Sequence, residues 1–462
     1  MSRPVPSERL QDDVQRGQDF PAAPTLGAEI RETGRLATPL ALAQMGTMLM
    51  GVVDTAVVSR FDPVHAAGTT LGNSLAMGCL VFGMGLSIAL EPLMAQAHGA
   101  GEEGRAWGWW RTGLRVSLIA ALPLAILAIA LALGSESLFG ISKPIHDEGL
   151  AYLLARTPGN MLLLAWMAAR SFLQSHQVVK PLLVGAAVAN VVNLFADLAL
   201  VDGFVQWGAA GAGIATSAST LVLVLWLTRA IKREKPPAGT VVPPGDVGLL
   251  VKLGMPLGLQ LAAEFIVFSA AGILATKLGE NPGNAHQIAL HCTTMTFMAA
   301  VGISGATAAR VGEAVGMHRM DLLRVRARAG FLLTLMVMGV SALCFAFLAG
   351  PIVALFAPKS AEVARLSVEL LGIAALFQFF DGTQVLVSGA LRGAGDVRFP
   401  FILTVVGYWG VGFPVAVLLC YEGGLGLHGL WYGLTAGLMA AALSLTVRYL
   451  WIERRGIERL ER

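Results

Sequence analysis

The sequence predicts an all-α membrane protein of twelve transmembrane helices, arranged as two six-helix lobes related by a pseudo-twofold axis along the membrane normal. Three observations lead to this fold class. Apolar runs of about twenty residues recur almost from end to end, only 14% of the 462 residues are charged, and one constant offset aligns segments of the two halves. In lipid a helix satisfies its own backbone hydrogen bonds, so runs of this length are expected to be helical.

Counting the apolar runs gives twelve predicted spans. They cover residues 37–59, 70–95, 113–134, 149–173, 181–203, 209–230, 249–277, 284–308, 328–350, 363–391, 399–421 and 427–451. A soluble chain of this length carries about 25% charged residues, so the low charge content agrees with membrane insertion. The net charge of +3 gives no indication of nucleic-acid binding.

The distribution of basic residues predicts which side of the membrane holds the termini. The loops on one side contain only Arg60, Lys143, Lys277 and Lys359, whereas the loops on the other side and both termini are rich in Lys and Arg. Because loops rich in basic residues stay in the cytoplasm, both termini are expected to be cytoplasmic.

Composition divides the chain into five predicted segments. Residues 1–34 are polar and predict a flexible cytoplasmic tail, and residues 35–230 form a first lobe of six helices. Paired prolines and clustered charges make 231–248 a cytoplasmic linker. Residues 249–452 form the second lobe, and 453–462 a cytoplasmic C-terminal tail.

The two halves match each other at a shift of 217 residues. This shift places Pro39 on Pro256 and Gly85 on Gly302. It also aligns Ser87, Ala89, Ala97 and Gly99 with Ser304, Ala306, Ala314 and Gly316. Because each half contains an even number of spans, both halves enter the membrane from the same side. The repeat is therefore parallel, an arrangement found in transporters with two similar lobes and a cleft between them.

Motifs of ATP binding and catalysis are absent from the sequence. There is no Gly-rich loop ending in Gly-Lys-Ser/Thr, no His-Glu-x-x-His and no Cys-x-x-Cys. Cys79, Cys292, Cys344 and Cys420 lie in apolar runs and are expected to be buried thiols. The chain is therefore predicted not to be an enzyme and to need no cofactor.

Three carboxylates lie inside the apolar runs: Asp54, Glu264 and Asp381. A charge at bilayer depth is costly, so each of them predicts a site that faces protein or water. Glu264 and Asp381 lie too deep to reach the headgroups, and no basic residue of the second half lies at comparable depth. A proton or a hard monovalent cation is the expected occupant, while a structural role with a buried partner stays open.

A second polar cluster is predicted in the first half. Asn193 and Asp197 lie one turn apart on the fifth span, and Thr216 and Asp54 lie at similar depth. Two carboxyl groups this close are expected to share a proton or bind a cation. The alternative is that each is solvated separately, near the headgroups. Glu91, at the end of the second span, is expected to cap its helix or pair with an Arg of the following loop.

Five stretches carry a resemblance to a known family. They run from Pro39 to Asp54, from Ala95 to Gly101, through Glu264 in Gln-Leu-Ala-Ala-Glu, from His286 to Leu290, and from Asp381 to Asp396. In these stretches, and over residues 35–452 as a whole, the chain resembles the multidrug and toxic-compound extrusion (MATE) transporters, most closely their bacterial NorM-like branch.

The resemblance implies two six-helix lobes around a V-shaped central cleft, in a monomer of the bacterial inner membrane. It implies export of lipophilic or cationic small molecules in exchange for inward sodium ions or protons. The residues expected to couple the cation are Asp54, Glu264, Asp381, Asn193 and Asp197, with Glu264 and Asp381 as sodium ligands if sodium is the coupling ion. The residues expected to contact substrate are Asp54, Gln44, Thr216, Gln260, Gln287 and Phe377.

One departure from the family leaves the coupling ion open. Some relatives with a sodium site in the second lobe carry a Tyr one turn before the acid of the tenth helix, whereas this chain has Phe377. The missing hydroxyl removes an oxygen that could bind sodium.

Three other functions fit the sequence less well. A lipid or lipid-linked oligosaccharide flippase of the same superfamily would need a cleft lined with Arg or Lys, and such residues are scarce at mid-membrane depth. A membrane transferase acting on a prenyl diphosphate would need Asp-rich metal motifs, which the sequence lacks. A channel fits a two-lobe repeat with dispersed acids less well than a transporter does.

Overall fold

The structure is a computed structural model that describes residues 24–60, 62–203, 206–236, 238–356, 358, 360–455 and 459–460. Within these residues every regular element is a helix. Ten of the described helices are long and apolar enough to cross a membrane, and two more, of 33 residues each, complete a set of twelve. The predicted all-α membrane fold is therefore confirmed.

The twelve long helices, numbered in chain order, are mostly somewhat longer than the predicted spans. They are α1 (Leu26–Val58), α2 (Pro63–Gly99), α3 (Glu103–Leu133), α4 (Lys143–Ser175), α5 (Lys180–Val201), α6 (Gly208–Glu234), α7 (Val247–Lys277), α8 (Glu280–Gly316), α9 (Met320–Phe347), α10 (Ala361–Gly393), α11 (Arg398–Glu422) and α12 (Gly426–Arg455). Short helices at Ser135–Phe139 and Ala349–Ala354 precede α4 and α10.

The helix contacts repeat from one lobe to the other. The pairs α2–α4, α3–α4, α4–α6 and α5–α6 recur as α8–α10, α9–α10, α10–α12 and α11–α12. Across the boundary α1 packs on α8, and α2 packs on α7. Exchanging the lobes converts one of these boundary contacts into the other, as a twofold axis between two like lobes requires.

Close glycine contacts reproduce this symmetry residue by residue. A Cβ atom added to Gly85 of α2 would overlap the backbone of Gly258 in α7, and one added to Gly302 of α8 would overlap that of Ala41 in α1. Residues 85 and 302 differ by 217, as do 41 and 258. The shift found in the sequence therefore also relates the contacts by which the two lobes meet.

The same relation holds at the face of the molecule where α1 begins and α12 ends, here called the termini face. Gly99 of α2 lies against the backbone oxygen of Glu313 in α8, and Gly316 of α8 lies against that of Gln96 in α2. No side chain fits at either position without moving a helix. The lobes are therefore in direct backbone contact at this face.

Ionic contacts also join the lobes at the termini face. Glu29 of α1 accepts from Arg310 of α8 at 2.5 Å, and both side chains are buried. The Gln177 amide, between α4 and α5, donates to Glu313 of α8 at 2.6 Å, and the same carboxylate pairs with Arg326 of α9 at 3.0 Å. These bonds close the molecule on this side.

The first of these pairs corrects a predicted boundary. Residues 1–34 were expected to form a flexible tail, yet α1 begins at Leu26 and Glu29 is 3% exposed. The polar sequence is helical there because its acid pairs with a buried guanidinium of the other lobe. Residues 1–23 lie outside the described residues.

The linker and the C-terminal segment are also held by hydrogen bonds. Trp107 of α3 donates to the backbone oxygen of Glu234 at 2.9 Å, and the Gly245 amide donates to Thr112 at 3.0 Å. Beyond α12, Arg459 pairs with Glu102 of the first lobe at 2.8 Å. The predicted linker therefore lies on the first lobe, whereas the predicted tail begins inside α12, where Glu453 pairs with Arg328 of α9, and reaches the first lobe at Arg459.

We expect Gly302→Val to lower the unfolding temperature of the purified protein substantially, because the new side chain must push α8 away from α1. Overpacking a close contact costs about 1–3 kcal/mol, and more when the obstacle is backbone. Tryptophan fluorescence during heating in detergent measures the change. The control is Gly372→Ala on α10, where a Cβ atom meets nothing within 4 Å. Equal unfolding temperatures for Gly302→Val and wild type would contradict the close packing of α1 on α8.

Candidate functional site

A cavity of about 1110 Å³ lies between the two lobes. Helices α1, α2 and α4 of the first lobe and α7, α8, α10 and α11 of the second contribute to its wall. The wall is mainly apolar and aromatic, and it includes Phe265, Phe268, Phe297, Phe377, Met84, Met167 and Met298. A large apolar cavity with a few polar groups is typical of a site for small molecules.

The cavity is closed toward the termini face and extends toward the opposite one. It reaches Thr276 and Lys277 in the last turn of α7. Below its floor, Gln96 of α2 donates to the backbone oxygen of Gly393 at 3.1 Å, and Gln174 of α4 donates to that of Gly305 at 3.1 Å. These amide bonds cross from one lobe to the other and seal the cavity from the termini face.

Glu264 lies in the cavity wall and is held by two glutamine amides. Gln260, one turn earlier on α7, donates to the Oε1 atom of Glu264 at 3.1 Å. Gln384 of α10 donates to the same atom at 3.2 Å. Both amides orient the carboxyl group, and all three residues line the cavity. The buried Oε1 atom of Gln260 has no hydrogen-bond partner among the described residues, so it is available to accept from a ligand or to bind a cation.

Tyr408 of α11 completes this group, and the sequence analysis missed it. Its hydroxyl donates to the Oε1 atom of Gln384 at 2.8 Å, which directs the Gln384 amide toward Glu264. Tyr408 lies in the π-helical segment Val406–Gly412, and such segments are frequent at functional sites. The available signal was a polar aromatic residue inside an apolar span, in a chain with only 5 tyrosines.

Asp381 and Phe377 lie one turn apart on α10, and both line the cavity. Asp381 is 8% exposed, and its charge interacts with that of Glu264. Phe377 packs edge-to-face on Phe268 of α7, with ring centroids 6.4 Å apart. Phe377 has no hydroxyl, but Tyr408 of α11 supplies one nearby. That hydroxyl bonds Gln384, which in turn bonds Glu264.

The floor of the cavity contains basic residues that the sequence analysis did not foresee there. Arg392 of α10 pairs with Glu91 of α2 at 3.0 Å, and Arg170 of α4 lines the cavity beside them. Glu91 was expected to cap its helix or pair within the following loop. It instead pairs with the other lobe, because α2 and α10 end at the same face.

Gln44 of α1 and Gln287 of α8 line the cavity as well. Four of the six residues expected to contact substrate therefore line the cavity: Gln44, Gln260, Gln287 and Phe377. The other two, Asp54 and Thr216, belong to a separate cluster inside the first lobe.

That cluster forms where α1, α5 and α6 meet. Asp54 accepts from Asn193 at 2.9 Å through Oδ1 and from Thr216 at 2.6 Å through Oδ2. Asp54, Asn193 and Thr216 are each at most 4% exposed. These side chains therefore form one group, as predicted. The alternative, in which each is solvated separately, does not apply, because all three are buried.

Asp197 adds a second carboxyl group to the cluster. It is fully buried and lies close enough to Asp54 for their charges to interact, while neither of its carboxyl oxygens has a hydrogen-bond partner among the described residues. Two adjacent buried carboxyl groups repel each other when both are charged, so a proton or a cation between them is needed to relieve the repulsion. Arg156 of α4 lies near enough to act on Asp197 electrostatically, and the sequence analysis missed this residue too.

Comparison with known proteins agrees with the two-lobe repeat. The family model MatE matches the chain twice, at residues 39–198 and 256–418, so the two matches begin 217 residues apart. A probable multidrug resistance protein NorM of Deinococcus radiodurans is 35% identical, over 94% of this chain and 98% of the relative. A probable multidrug resistance protein NorM of Burkholderia pseudomallei is 33% identical, over 92% of this chain and 93% of the relative.

Solved structures show the same fold. The crystal structure of the eukaryotic MATE transporter AtDTX14 superposes with a TM-score of 0.84 at 19% identity, covering 92% of this chain and 96% of that one. Given the double match and the identity to NorM proteins over nearly the whole length, the chain belongs to the MatE family of multidrug and toxic-compound extrusion transporters, in its NorM-like branch, and is not an enzyme.

Proposed function

We propose that the protein is a multidrug efflux transporter that exchanges lipophilic, cationic small molecules for inward sodium ions or protons. The observation that carries this proposal is the position of Glu264 and Asp381. Both are acidic, both are largely buried in the membrane domain, and both line the apolar cavity between the lobes. A cavity of this kind attracts a positive charge while its walls accept an apolar body.

The cavity suits flat organic cations in particular. Phe268, Phe377 and Tyr408 line the same cavity as the two acids and pack on one another, and aromatic faces attract cations. Gln44 and Gln287 supply further hydrogen-bonding groups on opposite walls. Methionines adapt to ligands of different shape, which suits a site with broad specificity.

Exchange follows when the ion and the organic cation compete for the same carboxyl groups. A sodium ion or a proton neutralises Glu264 and Asp381, which removes the attraction that holds a bound organic cation. Because the two occupants stabilise different arrangements of the lobes, binding of one shifts the population toward the state that releases the other. Sodium and protons both fit a site of carboxyl and amide oxygens.

The arrangement of the lobes corresponds to one state of an alternating-access cycle. With both termini in the cytoplasm, as the basic loops predict, the sealed face is cytoplasmic and the cavity extends outward across the bacterial inner membrane. The opposite state requires the contacts at the termini face to open, including the Glu91–Arg392 pair.

We assign the first-lobe cluster a supporting role in coupling. Asp54 and Asp197 do not line the cavity, but they form a buried pair that takes up a proton or cation. A change in the occupancy of this pair alters the packing of α1, α5 and α6. Since α1 also contacts α8, this change is transmitted to the boundary between the lobes.

A flippase for anionic lipids is the second candidate, and Arg170, Arg392 and Lys277 in the cavity wall favour it. Two observations weigh against it. Arg392 is paired with Glu91, and the acids Glu264 and Asp381 repel a phosphate. Fluorescent lipids and fluorescent organic cations offered to the same proteoliposomes separate the two functions.

We expect Glu264→Gln and Asp381→Asn each to reduce gradient-driven transport about tenfold or more. An amide carries no negative charge, so a proton or a sodium ion has nothing to neutralise there. Uptake of a fluorescent organic cation into proteoliposomes is measured under an imposed sodium gradient and, separately, a proton gradient. The control is Glu362→Gln, an exposed acid of α10 that bonds Asn281 outside the cavity. Wild-type rates in both cavity variants would exclude these acids from coupling.

We expect Tyr408→Phe to raise the ion concentration for half-maximal transport about three- to tenfold, because the Gln384 amide loses the bond that directs it toward Glu264. The maximal rate at saturating ion is expected to change little. Tyr421→Phe on the same helix, where the side chain is exposed, is the matched control. An unchanged ion dependence in Tyr408→Phe would show that this hydroxyl does not organise the site.

We expect Asp197→Asn to raise the unfolding temperature by about 2 °C or more while slowing gradient-driven transport. The new amide donates to Asp54 without the proton or cation that two acids must first take up, which is worth about 1 kcal/mol at neutral pH. Asp147→Asn, at an exposed acid beyond the membrane, is the control. A variant that is less stable than wild type would contradict the repulsion between the two acids.

A further inference from the structure

Three metal-ligating side chains meet at the termini face, away from the cavity and from both acid clusters. His98 comes from the end of α2, Glu103 from the start of α3, and His176 directly follows α4. Their ligand atoms all lie within 4.8 Å of one another. None of the three is required by the transport function proposed above.

Glu103 lies between the two histidines. Its Oε1 atom is 2.6 Å from the Nδ1 atom of His98, and its Oε2 atom is 3.1 Å from the Nε2 atom of His176. Both carboxylate oxygens are therefore directed at imidazole nitrogens. The ring centroids of His98 and His176 are 4.6 Å apart, so the three side chains enclose one small space.

The hydrogen bond on the far side of His176 fixes its tautomer. Nδ1 lies 2.8 Å from the backbone oxygen of Phe172, which can only accept, so Nδ1 carries a proton. In a neutral His176 the Nε2 atom then presents a lone pair to Glu103, which is also an acceptor. Two acceptors facing each other need a proton or a metal cation between them. A carbonyl bond at the other ring nitrogen is the usual support of a metal-bound histidine.

The surroundings hold this arrangement in place and favour a cation. The His176 ring stacks on Phe172 with centroids 4.0 Å apart, which restricts its rotation. Glu313 of α8 and Glu234 at the end of α6 act electrostatically on His98 in addition to Glu103. Acidic groups from three elements therefore contribute negative potential at this point.

We propose that His98, Glu103 and His176 form a zinc site. Two imidazoles and one carboxylate match the preference of Zn²⁺ for nitrogen and oxygen ligands, with water as the fourth ligand. Calcium and magnesium prefer oxygen ligands alone. At usual bond lengths, tetrahedral zinc ligands lie about 3.3 Å apart, so Glu103 needs to move away from His98 by less than about 1 Å, and ligand atoms that lie up to 4.8 Å apart need to approach each other.

Zinc at this position ties α2, α3 and α4 together next to the boundary between the lobes. Gln177, which follows His176, donates to Glu313 of α8, and Gly99, which follows His98, packs against the backbone of the same residue. Two neighbours of the site thus contact the second lobe at one point. A bound zinc ion is therefore expected to stabilise the closed termini face.

Zinc binding to the full-length protein tests the proposal. Purified protein is stripped with a chelator in detergent and titrated calorimetrically with Zn²⁺, and the unfolding temperature is recorded with and without the metal. We expect one site per chain and a zinc-dependent rise in unfolding temperature. His98→Ala and His176→Ala are each expected to weaken binding about tenfold or more. His318→Ala, at an exposed residue between α8 and α9, is expected to bind like wild type.

Another potential cluster provides a stricter control. Glu136, His146 and Asp147 lie close together near the opposite face, and two of them are exposed. We expect His146→Ala to leave the calorimetric site intact. Replacement of zinc by Co²⁺ adds a spectroscopic measurement, since four-coordinate cobalt absorbs visible light. That absorption is expected in His146→Ala and is expected to be lost in His176→Ala.

Three outcomes would overturn the proposal. The first is a wild-type protein that binds no zinc, in which case the three side chains share a proton instead. The second is unchanged affinity in both His98→Ala and His176→Ala, and the third is loss of the site in His146→Ala alone. The first outcome needs no variant to fold. None of the three bears on the efflux function, which is measured separately.

Discussion

A carboxyl group buried among membrane helices is the constraint on which the transport site depends. A charge in this environment is costly unless donors or a cation compensate it. At Glu264 the compensation is partial, because Gln260 and Gln384 donate to one oxygen only. The remaining stabilisation of the carboxylate must come from a proton or a cation in the cavity. When one of these leaves, another must take its place.

The symmetric scaffold carries sites that are not symmetric. The 217-residue shift relates the backbone contacts between the lobes, yet it places Asp54 on Ala271 and Glu264 on Thr47. Each lobe has thus acquired its own acids at different depths and on different faces of equivalent helices. The acids of the second lobe line the cavity, whereas those of the first are enclosed by α1, α5 and α6. Equivalent helices can therefore move alike while their sites respond to different occupants.

Sequence patterns predicted those features that depend on local composition or on the repeat. Apolar runs gave twelve helices, and the match of Gly85 with Gly302 anticipated contacts that the structure shows between the lobes. The acids were recognised because a charge inside an apolar run is conspicuous. The grouping of Asp54 with Asn193 followed from depth alone, since neighbouring helices bring residues of equal depth together.

Features that depend on which helices are neighbours could not be predicted. Glu91 and Arg392 are 301 residues apart, and nothing local to either one indicates the other. Tyr408 reaches Glu264 only through Gln384, and it does so from a π-helical segment that its local sequence does not indicate. The polar start of α1 resembled a tail because the partner of Glu29 lies on α8. In each case the decisive contact joins two different helices, and for Glu91 and Glu29 it crosses from one lobe to the other.

The chemistry of the boundary between the lobes indicates how it can open at one end without coming apart. Near the middle, Gly85 and Gly302 bring helix backbones together in contacts without charge. At the termini face ion pairs, such as Glu29–Arg310 and Glu91–Arg392, lie beside the glycine contacts of Gly99 and Gly316. An ion pair that separates into water regains most of its lost hydration, so its net contribution to closure is small. Helix backbones gain nothing comparable from water, because their hydrogen bonds are already made within each helix. The termini face, where ion pairs hold the lobes together, is therefore the end of the boundary suited to open, and the glycine contacts at Gly85 and Gly302 form the region about which the lobes turn.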